Sequence, residues 1–482
     1  MRIHTILIAL SIAAVSQIVI AATVTVDFAQ DKGPIDYRAS GFLHSFTATS
    51  PGPTILEPLK PKFWRTNRRM CDKAAYDRCV AMGVTVQLVI SDTYGTHAPS
   101  DWSTYETWVT NFVNANRAAG INCQYDVWNE PEGNPVDDAF YHAYRAIKAI
   151  DSSIMISAPS TWTGPGAVTT FLQNLATKYP GIYPDYLGMH ANTYSENSPE
   201  SYLTTVRAYV QQHNIPIKGI QINEMIADQE YREPFWQCKY LAEVDRNGAS
   251  HAALACWNTC WDPMLDGLLT WDASHQIKSN WWVHKAYADI TGRRAGITRT
   301  TTGATLDGIM GFDAQKKELR GVFAPGGTVI LTNLSATGFL SSSGSVDVET
   351  QQIAMSGDNP SSGPVQLSKQ TQQYSNNQLS VTVSVPSTDA FILIVRAGTT
   401  AVRADVRPQS CAGMLRTNPH SVSITANGPN TVSIMNLQGK LLSRTTAGGS
   451  RTLSLDNAKP GAYLVNLETP EGVASVRIVK DR

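Results

Sequence analysis

The sequence predicts an α/β protein in which a barrel of parallel strands is followed by a β-sandwich and a small C-terminal β-domain. Three observations predict this fold class. Short apolar runs alternate with helical patterns from about residue 38 to residue 295. After residue 296 the runs alternate apolar and polar residues, and glycine, serine, asparagine and proline clusters separate them. Near residue 402 the composition changes again, to short β-patterned runs with glycine turns.

The first region has the alternation that a (β/α)8 TIM barrel requires. Strands are predicted at residues 41–46, 63–66, 85–90, 124–128, 155–158, 186–190, 219–223 and 252–257. Helices are predicted at residues 72–82, 105–119, 139–150, 167–178, 199–213 and 236–247, and residues 285–291 close the series. A doubly wound sheet uses fewer strands, and no glycine-rich phosphate turn follows any of these. We therefore assign residues 23–296 to the barrel.

The ends of the chain predict an exported protein. Residues 1–22 combine a basic start, a short apolar stretch and small residues, which is typical of a cleaved signal peptide; an uncleaved anchor is the alternative. No later segment is apolar and long enough to span a bilayer. Residues 297–398 are predicted to form the sandwich, and residues 399–482 the small β-domain.

Charge and cysteine content exclude several functions. The formal net charge is −1, which does not favour a nucleic-acid partner. Seven cysteines in an oxidising compartment permit disulfides and leave at least one thiol unpaired. Because no further cysteine or histidine lies at zinc-ligand spacing from Cys256 and Cys260, we expect no metal, and nothing in the sequence indicates another cofactor.

Two glutamates at strand ends carry the functional prediction. Glu130 follows Asn129 after the fourth strand, and Pro131 ends the hydrogen-bonded ladder there. Glu224 ends the seventh strand in the same way, after Asn223. Because the C-terminal ends of barrel strands form one face, both carboxyls are expected at the mouth of the barrel. A carboxyl pair about 5 to 5.5 Å apart suits retaining glycoside hydrolysis, whereas about 6.5 to 9.5 Å suits inversion.

The Asn-Glu-Pro run at strand 4, with a later strand-7 glutamate, resembles the clan A glycoside hydrolases. The resemblance implies that Glu130 is the acid/base and that Glu224 is the nucleophile. The acid role requires a raised pKa at Glu130. The resemblance also implies substrate-binding roles for the residues at matching barrel positions, which are Arg65, His190, Tyr194 and Trp257. Asn129 is well placed to bond a sugar hydroxyl or to orient Glu130, and His44 and Trp162 are weaker substrate-binding candidates. The layout is similar to family 39 xylosidases, although Asn223 replaces the usual Thr or Ser before the nucleophile.

Each of these residues has a structural alternative. Arg65 could be a surface ion pair, His190 a core histidine and Trp257 barrel packing, and Glu132 is the nearest rival of Glu130. In the C-terminal domain, Ile-Met-Asn-Leu-Gln-Gly-Lys at residues 434–440 is followed by Pro-Gly-Ala-Tyr at residues 460–463 and a basic terminus. This order resembles type IX secretion sorting domains, which implies secretion machinery as a partner; a carbohydrate-binding sandwich is the alternative.

Taken together, the sequence predicts a secreted retaining glycosidase that acts on β-linked polysaccharides or oligosaccharides. A catalytically inactive barrel that binds carbohydrate at the cell surface is the rival from another class of function. The sequence does not specify which sugar is cleaved.

Overall fold

The computed structural model describes most of the chain in two compact units, residues 1–398 and residues 399–482. The described residues are 22–95, 98–131, 133, 135–192, 198–258, 260, 265–299, 306–398, 413–418, 421–426, 428–436, 440–454, 461–469 and 472–480. The predicted signal segment lies outside them, apart from Ala22. Within the described part of the chain, none of the helices combines the length and the apolar character that crossing a membrane would need.

The first unit contains a closed barrel of eight parallel strands, as the sequence predicts. Strand β1 (Thr23–Pro34) comes first in the chain and pairs outside the barrel. The barrel strands follow in chain order around the ring: β2 (Gly41–Leu43), β3 (Phe63–Thr66), β4 (Thr85–Val89), β5 (Gln124–Asp126), β6 (Ile156–Thr161), β7 (Tyr186–Ala191), β8 (Gly219–Met225) and β9 (His251–Leu254).

Helices connect successive barrel strands and cover the outside of the ring. They are α1 (Pro53–Leu56), α2 (Lys73–Ala81), α3 (Ser91–Tyr94), α4 (Trp102–Ala118), α5 (Val136–Ile150), α6 (Pro165–Lys178), α7 (Pro199–Gln212), α8 (Pro234–Arg246) and α9 (Ser279–Asp289). Side-chain caps fix where several of them start: the Asp72 carboxylate accepts a hydrogen bond from the Ala75 amide at 2.7 Å. Asp101 caps α4 in the same way.

One layer of side chains inside the barrel is polar. Gln87 donates to Gln221 at 2.8 Å, and Gln221 donates to Gln124 at 3.1 Å. These three amides come from β4, β8 and β5, so one hydrogen-bonded layer links strands across the barrel. The larger apolar cluster lies between the strands and the helices, where Trp64, Tyr105 and other large side chains are buried.

Two strands that fall inside the range predicted for the barrel, or at its end, belong instead to a separate nine-stranded sheet. Strand β1 pairs with β10 (Arg293–Arg299), from Val24 opposite Arg299 to Pro34 opposite Arg293. The prediction of a barrel from residue 23 was therefore wrong for β1. The range predicted for the sandwich, residues 297–398, also omits most of β10. An isolated strand next to the first barrel strand gives no local signal of a partner some 270 residues away, because pairing of that kind depends on tertiary structure.

The sheet curls around its own apolar core to give the predicted sandwich. Its remaining strands are β11 (Asp307–Asp313), β12 (Glu318–Ala324), β13 (Gly327–Thr332), β14 (Gly344–Ile353), β15 (Val365–Tyr374), β16 (Gln378–Val383) and β17 (Ala390–Ala397). The strand order is β15-β14-β17-β12-β11-β10-β1-β13-β16. Phe28, Phe323 and Phe391 lie in its core, which is separate from that of the barrel.

Ion pairs fasten this sheet to the barrel. Arg246 of α8 makes two parallel hydrogen bonds to the buried carboxylate of Asp307 on β11, at 2.7 and 2.8 Å. Arg294 of β10 pairs with the buried Asp245 of α8 at 2.8 Å. Bidentate and buried pairs of this kind fix orientation, because each charge has lost its water and depends on its partner.

The second unit consists of two small antiparallel sheets. One contains β18 (Gly413–Asn418), β19 (Ser421–Ala426) and β22 (Arg451–Ser454). The other contains β20 (Pro429–Asn436), β21 (Leu441–Gly448), β23 (Gly461–Thr469) and β24 (Gly472–Lys480), in the order β21-β20-β23-β24. Val422, Val432 and Val465 are among the residues of its core. The predicted small β-domain is therefore present.

Candidate active site

A buried arginine joins three strands at the upper end of the barrel. Arg65, the third residue of β3, donates from Nη1 to Glu224 Oε1 at 2.6 Å and from Nη2 to Asn129 Oδ1 at 2.8 Å. Its Nε and Nη2 donate to Asp126 Oδ2 at 2.9 and 2.7 Å. Only 1% of the arginine is exposed, so it is not a surface ion pair. The carboxylates compensate a charge that would be strongly disfavoured alone at this depth.

Two bulges turn extra side chains into this network. The pairing of β6 with β7 skips Ser160, and the pairing of β7 with β8 skips Asn223. Successive strand residues normally face opposite sides, but a bulge re-aims one of them. Asn223 can therefore donate to Ser160 Oγ at 2.7 Å, while its neighbour Glu224 also points inward to Arg65. Ser160 in turn donates to Asp126 at 2.7 Å.

A glycine on β7 leaves room for this contact. A Cβ atom at Gly188 would lie 2.6 Å from Ser160 Oγ and 2.8 Å from Asn223 Nδ2. Both distances are too short for a real side chain, so any larger residue at position 188 would push the two polar groups apart.

Glu130 occupies a different environment from Glu224. It lies four residues beyond the end of β5 with a φ of 49°, and its amide donates to the Ser160 carbonyl at 3.1 Å. The preceding amide of Asn129 donates to Ser91 Oγ at 2.9 Å. These bonds fix the turn, but the carboxyl itself is open: its side chain is 43% exposed, against 11% for Glu224.

His190, on β7, lies between the two glutamates. Its Nδ1 is 3.3 Å from Glu130 Oε1, and its Nε2 is 3.6 Å from Glu224 Oε1. One ligand atom from each of the three residues lies within 4.8 Å of the other two. The carboxyl groups of Glu130 and Glu224 are therefore close neighbours across the mouth. The same spacing would let a divalent cation contact all three side chains.

The electrostatics of Glu130 differ from the sequence-based expectation. A hydrogen bond from His190 lowers the pKa of Glu130; partial burial opposes this, and the charges of His190 and Arg65 act with the hydrogen bond. The expectation of a raised pKa was therefore wrong for the unliganded protein. The local sequence gives no warning, because His190 is 60 residues away in the chain.

Two further titratable groups surround the site. Burial raises the pKa of Asp92, on the short helix α3 after β4, to about 6. The charge of Arg65 lowers this pKa, while the carboxylates of Asp126, Glu224 and Glu130 raise it further. Burial also lowers the pKa of His44 to about 3, with Arg65 adding to the effect, so His44 is neutral near pH 7. Its Nδ1 lies 3.2 Å from Thr66 Oγ1.

The remaining predicted residues are partly brought together. Trp257 follows β9, and its indole N–H donates at 3.1 Å to the carbonyl of Ile226, two residues beyond Glu224. Trp162 follows β6 and is exposed. Tyr194 and Glu132 lie outside the described residues. Cys256 and Cys260, on either side of Trp257, form a disulfide.

Three residues of the hydrogen-bond network around Arg65 were not predicted from the sequence. Asp126, Ser160 and Asn223 all bond within the network, yet none was a candidate. Asp126 gave a usable signal, because an acid inside a short apolar strand must find a buried partner. Ser160 and Asn223 gave none, since their inward orientation depends on bulges.

No protein-family model and no curated protein matches the sequence. Solved structures do match the fold. Protein N2152 from Neocallimastix frontalis has a TM-score of 0.69 at 20% identity, covering 78% of this chain and 100% of that one. A monomeric β-xylosidase from Caulobacter crescentus has a TM-score of 0.55 at 15% identity, covering 78% and 99%. An α-L-arabinofuranosidase from Thermotoga maritima has a TM-score of 0.55 at 11% identity, covering 78% and 100%.

These similarities define the class of fold, a (β/α)8 barrel with an attached β-sheet domain, and the structural neighbours that share it include glycoside hydrolases. At identities of 20% or less, they do not assign a family or a substrate.

Proposed function

We propose that this protein is a retaining O-glycoside hydrolase in which Glu224 is the nucleophile and Glu130 the acid/base. One observation carries the proposal. Glu130 follows the fourth barrel strand, Glu224 lies near the end of the seventh, and one carboxylate oxygen of each lies within 4.8 Å of the other. Retaining enzymes hold the two carboxyls about 5 to 5.5 Å apart, and inverting enzymes about 6.5 to 9.5 Å apart to admit a water, so the close approach of these two oxygens favours double displacement.

In the first step Glu224 attacks the anomeric carbon while Glu130 gives its proton to the leaving oxygen. The bond to the leaving group breaks, and an ester forms between Glu224 and the sugar. Arg65 supports this role, because its hydrogen bond to Glu224 Oε1 fixes the orientation of the carboxyl that attacks.

In the second step Glu130, now ionised, takes a proton from water, and the water oxygen attacks the anomeric carbon. The ester breaks and Glu224 returns to its carboxylate form. The greater exposure of Glu130 suits this step, since water must reach the acid/base but must be kept from the nucleophile.

The lowered pKa of Glu130 predicts an acidic working range. The first step needs Glu130 protonated, and a carboxyl with a lowered pKa holds its proton only at low pH. We therefore expect kcat/KM in the unliganded enzyme to fall as pH rises through that pKa. Substrate that displaces water from the site would raise the pKa and oppose this fall.

The glycosidases among the fold neighbours support a sugar substrate and leave the linkage open. One is a β-xylosidase and another an α-L-arabinofuranosidase. We propose β-linked glycosides of a polysaccharide or its oligosaccharides as the substrate, and a test must include arabinofuranosides.

Aryl glycosides test the proposal directly. A panel of aryl β-xylosides, β-glucosides, β-galactosides and α-L-arabinofuranosides, followed by NMR of the first-formed anomer, should show hydrolysis with retention. The measurement is repeated after dialysis against EDTA, since Glu130, His190 and Glu224 are spaced for a cation and the proposed mechanism uses none. If the aryl panel and a polysaccharide panel both remain intact, the inactive carbohydrate-binding barrel replaces this proposal.

We further propose that the protein is exported and that residues 399–482 act as a sorting domain. The support is the signal-like N-terminus and the order of turns in the small β-domain. Expression with and without residues 399–482, followed by cell fractionation and N-terminal sequencing, should show cleavage near residue 22 and release that depends on the domain. Release without it, together with retained binding to polysaccharide by the isolated domain, would favour the carbohydrate-binding alternative.

A further inference from the structure

Three tryptophans lie exposed in segments that follow barrel strands. Trp162, Trp257 and Trp271 are 43%, 37% and 49% exposed, and every other tryptophan in the described part of the chain is more deeply buried. Trp162 follows β6, and the other two follow β9. The C-terminal ends of these strands open on the face that holds Glu130 and Glu224. Large exposed rings in connections that all leave the same end of the barrel suit a binding surface, whereas a single scattered apolar residue needs no such explanation.

Hydrogen bonds connect the segments of two of these tryptophans to the two glutamates. Trp162 lies two residues beyond Ser160, whose carbonyl accepts the Glu130 amide, so it belongs to the side of the acid/base. Trp257 donates to the carbonyl of Ile226, just beyond Glu224, so it belongs to the side of the nucleophile. Trp271 lies 14 residues further along the same connection as Trp257.

Hydrogen bonds fix the backbone of the hairpin that carries Trp271. It follows Thr270 in a short hairpin closed by a bridge between Leu269 and Ile277. The Thr270 amide donates to the Gln276 carbonyl at 2.9 Å, and the Gln276 amide donates to Thr270 Oγ1 at 2.9 Å. Asp272 accepts the Thr270 hydroxyl at 2.8 Å, which closes the turn.

An exposed indole on a fixed backbone is suited to stacking, because a ligand that covers it orders only two side-chain torsions. A tryptophan that only filled a core would be buried, and Trp271 leaves half of its surface in water. The apolar C–H faces of neutral sugar rings are the ligands that fit such a ring beside a carboxyl pair.

We propose that Trp271 and Trp162 are outer sugar-stacking sites, so that the substrate is an extended chain of neutral sugars crossing the mouth of the barrel. The inference rests on the proposed function and deepens it. Trp162 would receive sugars of the leaving group, because Glu130 protonates the leaving oxygen. Trp271 would receive sugars beyond the one that becomes attached to Glu224. A site of this form cleaves within a chain.

Chain-length dependence tests the inference. For Trp271→Ala and Trp162→Ala, kcat/KM is measured on oligosaccharides of two to six units of the sugar that the aryl panel identifies. The loss should grow with length and reach about 10-fold for the longest chains, the effect of one lost aromatic contact of about 1.4 kcal/mol. Val80→Ala, another exposed apolar residue but on helix α2, is the matched control and should leave all lengths unchanged.

Gel electrophoresis through immobilised xylan, β-glucan and arabinan gives a readout that does not depend on hydrolysis. Wild type should be retarded by one of these polymers, and both tryptophan variants should be retarded less. Equal retardation, or losses that do not change with chain length, would overturn the inference while leaving the proposed function standing. If nothing is hydrolysed but the variants still lose retardation, the binding surface stands and the proposed function fails. Circular dichroism of each variant separates lost binding from lost folding.

Discussion

The two sides of the barrel mouth differ in how they hold their glutamates. Glu224 belongs to a closed, buried network, in which Arg65 bonds it and Asp126 bonds Arg65. Glu130 is held mainly through its backbone, and the only hydrogen-bond partner described for its side chain is His190. In the proposed mechanism, buried hydrogen bonds fix the orientation of Glu224, which forms a bond to carbon, while the exposure of Glu130 lets its proton be exchanged with water.

The largest expected effect comes from removing the fixed glutamate. Glu224→Gln should lower kcat by more than about 10⁴-fold, because an amide neither attacks the anomeric carbon nor forms the ester on which both steps depend. Stopped-flow and steady-state assays with an aryl glycoside measure it. Glu57→Gln, on an exposed glutamate outside the site, is the control. Near-normal turnover by Glu224→Gln would break the comparison.

Removing the open glutamate should give a smaller effect that depends on the leaving group. Glu130→Gln should slow hydrolysis by about 10² to 10⁴-fold for glycosides with poor leaving groups, the usual contribution of a general acid. Substrates with strongly acidic phenols need little protonation and should lose much less in the first step. A plot of log kcat/KM against leaving-group pKa checks this. An unchanged slope would show that Glu130 is not the proton donor.

The network behind Glu224 predicts an effect on stability as well as activity. Asp126→Asn leaves Arg65 with less compensation in a buried position, and breaking a buried pair destabilises by about 3 to 5 kcal/mol. Chemical denaturation measures the loss, and Asp77→Asn on the surface of α2 should leave the free energy of unfolding nearly unchanged. A loss below about 0.5 kcal/mol would place Asp126 among ordinary surface carboxylates.

The smallest expected effect is a shift in pH dependence. The hydrogen bond from His190 lowers the pKa of Glu130, so His190→Asn should raise it. Because Glu130 must be protonated in the first step, the alkaline limb of the kcat/KM profile should move to higher pH. The profile is measured with a poor leaving group, for which acid catalysis limits the rate. A limb that stays in place, or moves to lower pH, would contradict this electrostatic account of Glu130.

The order of strands could be predicted from sequence, but the details of the site could not. Glu130 and Glu224 stand out because each ends an apolar run, a local pattern that the barrel turns into proximity. The inward position of Ser160 and Asn223 depends on bulges, which appear only when neighbouring strands are paired.

The same limit explains the errors. Strand β1 pairs with β10, which is far away in the sequence, so local patterns gave no sign of this partner. The pKa direction of Glu130 depends on His190, a through-space neighbour 60 residues away. Local composition predicts elements well, while partners across long separations require the fold itself.

The central claim is that Glu224, and not Glu130, bonds to the sugar. Incubation with a 2-deoxy-2-fluoro glycosyl fluoride of the sugar that the panel identifies slows both steps and lets the ester accumulate. Peptide mass spectrometry should then find one added fluoroglycosyl group, on the peptide that contains Glu224. A label on Glu130, or continued turnover with no label at all, would contradict the division of roles between the two sides of the barrel mouth.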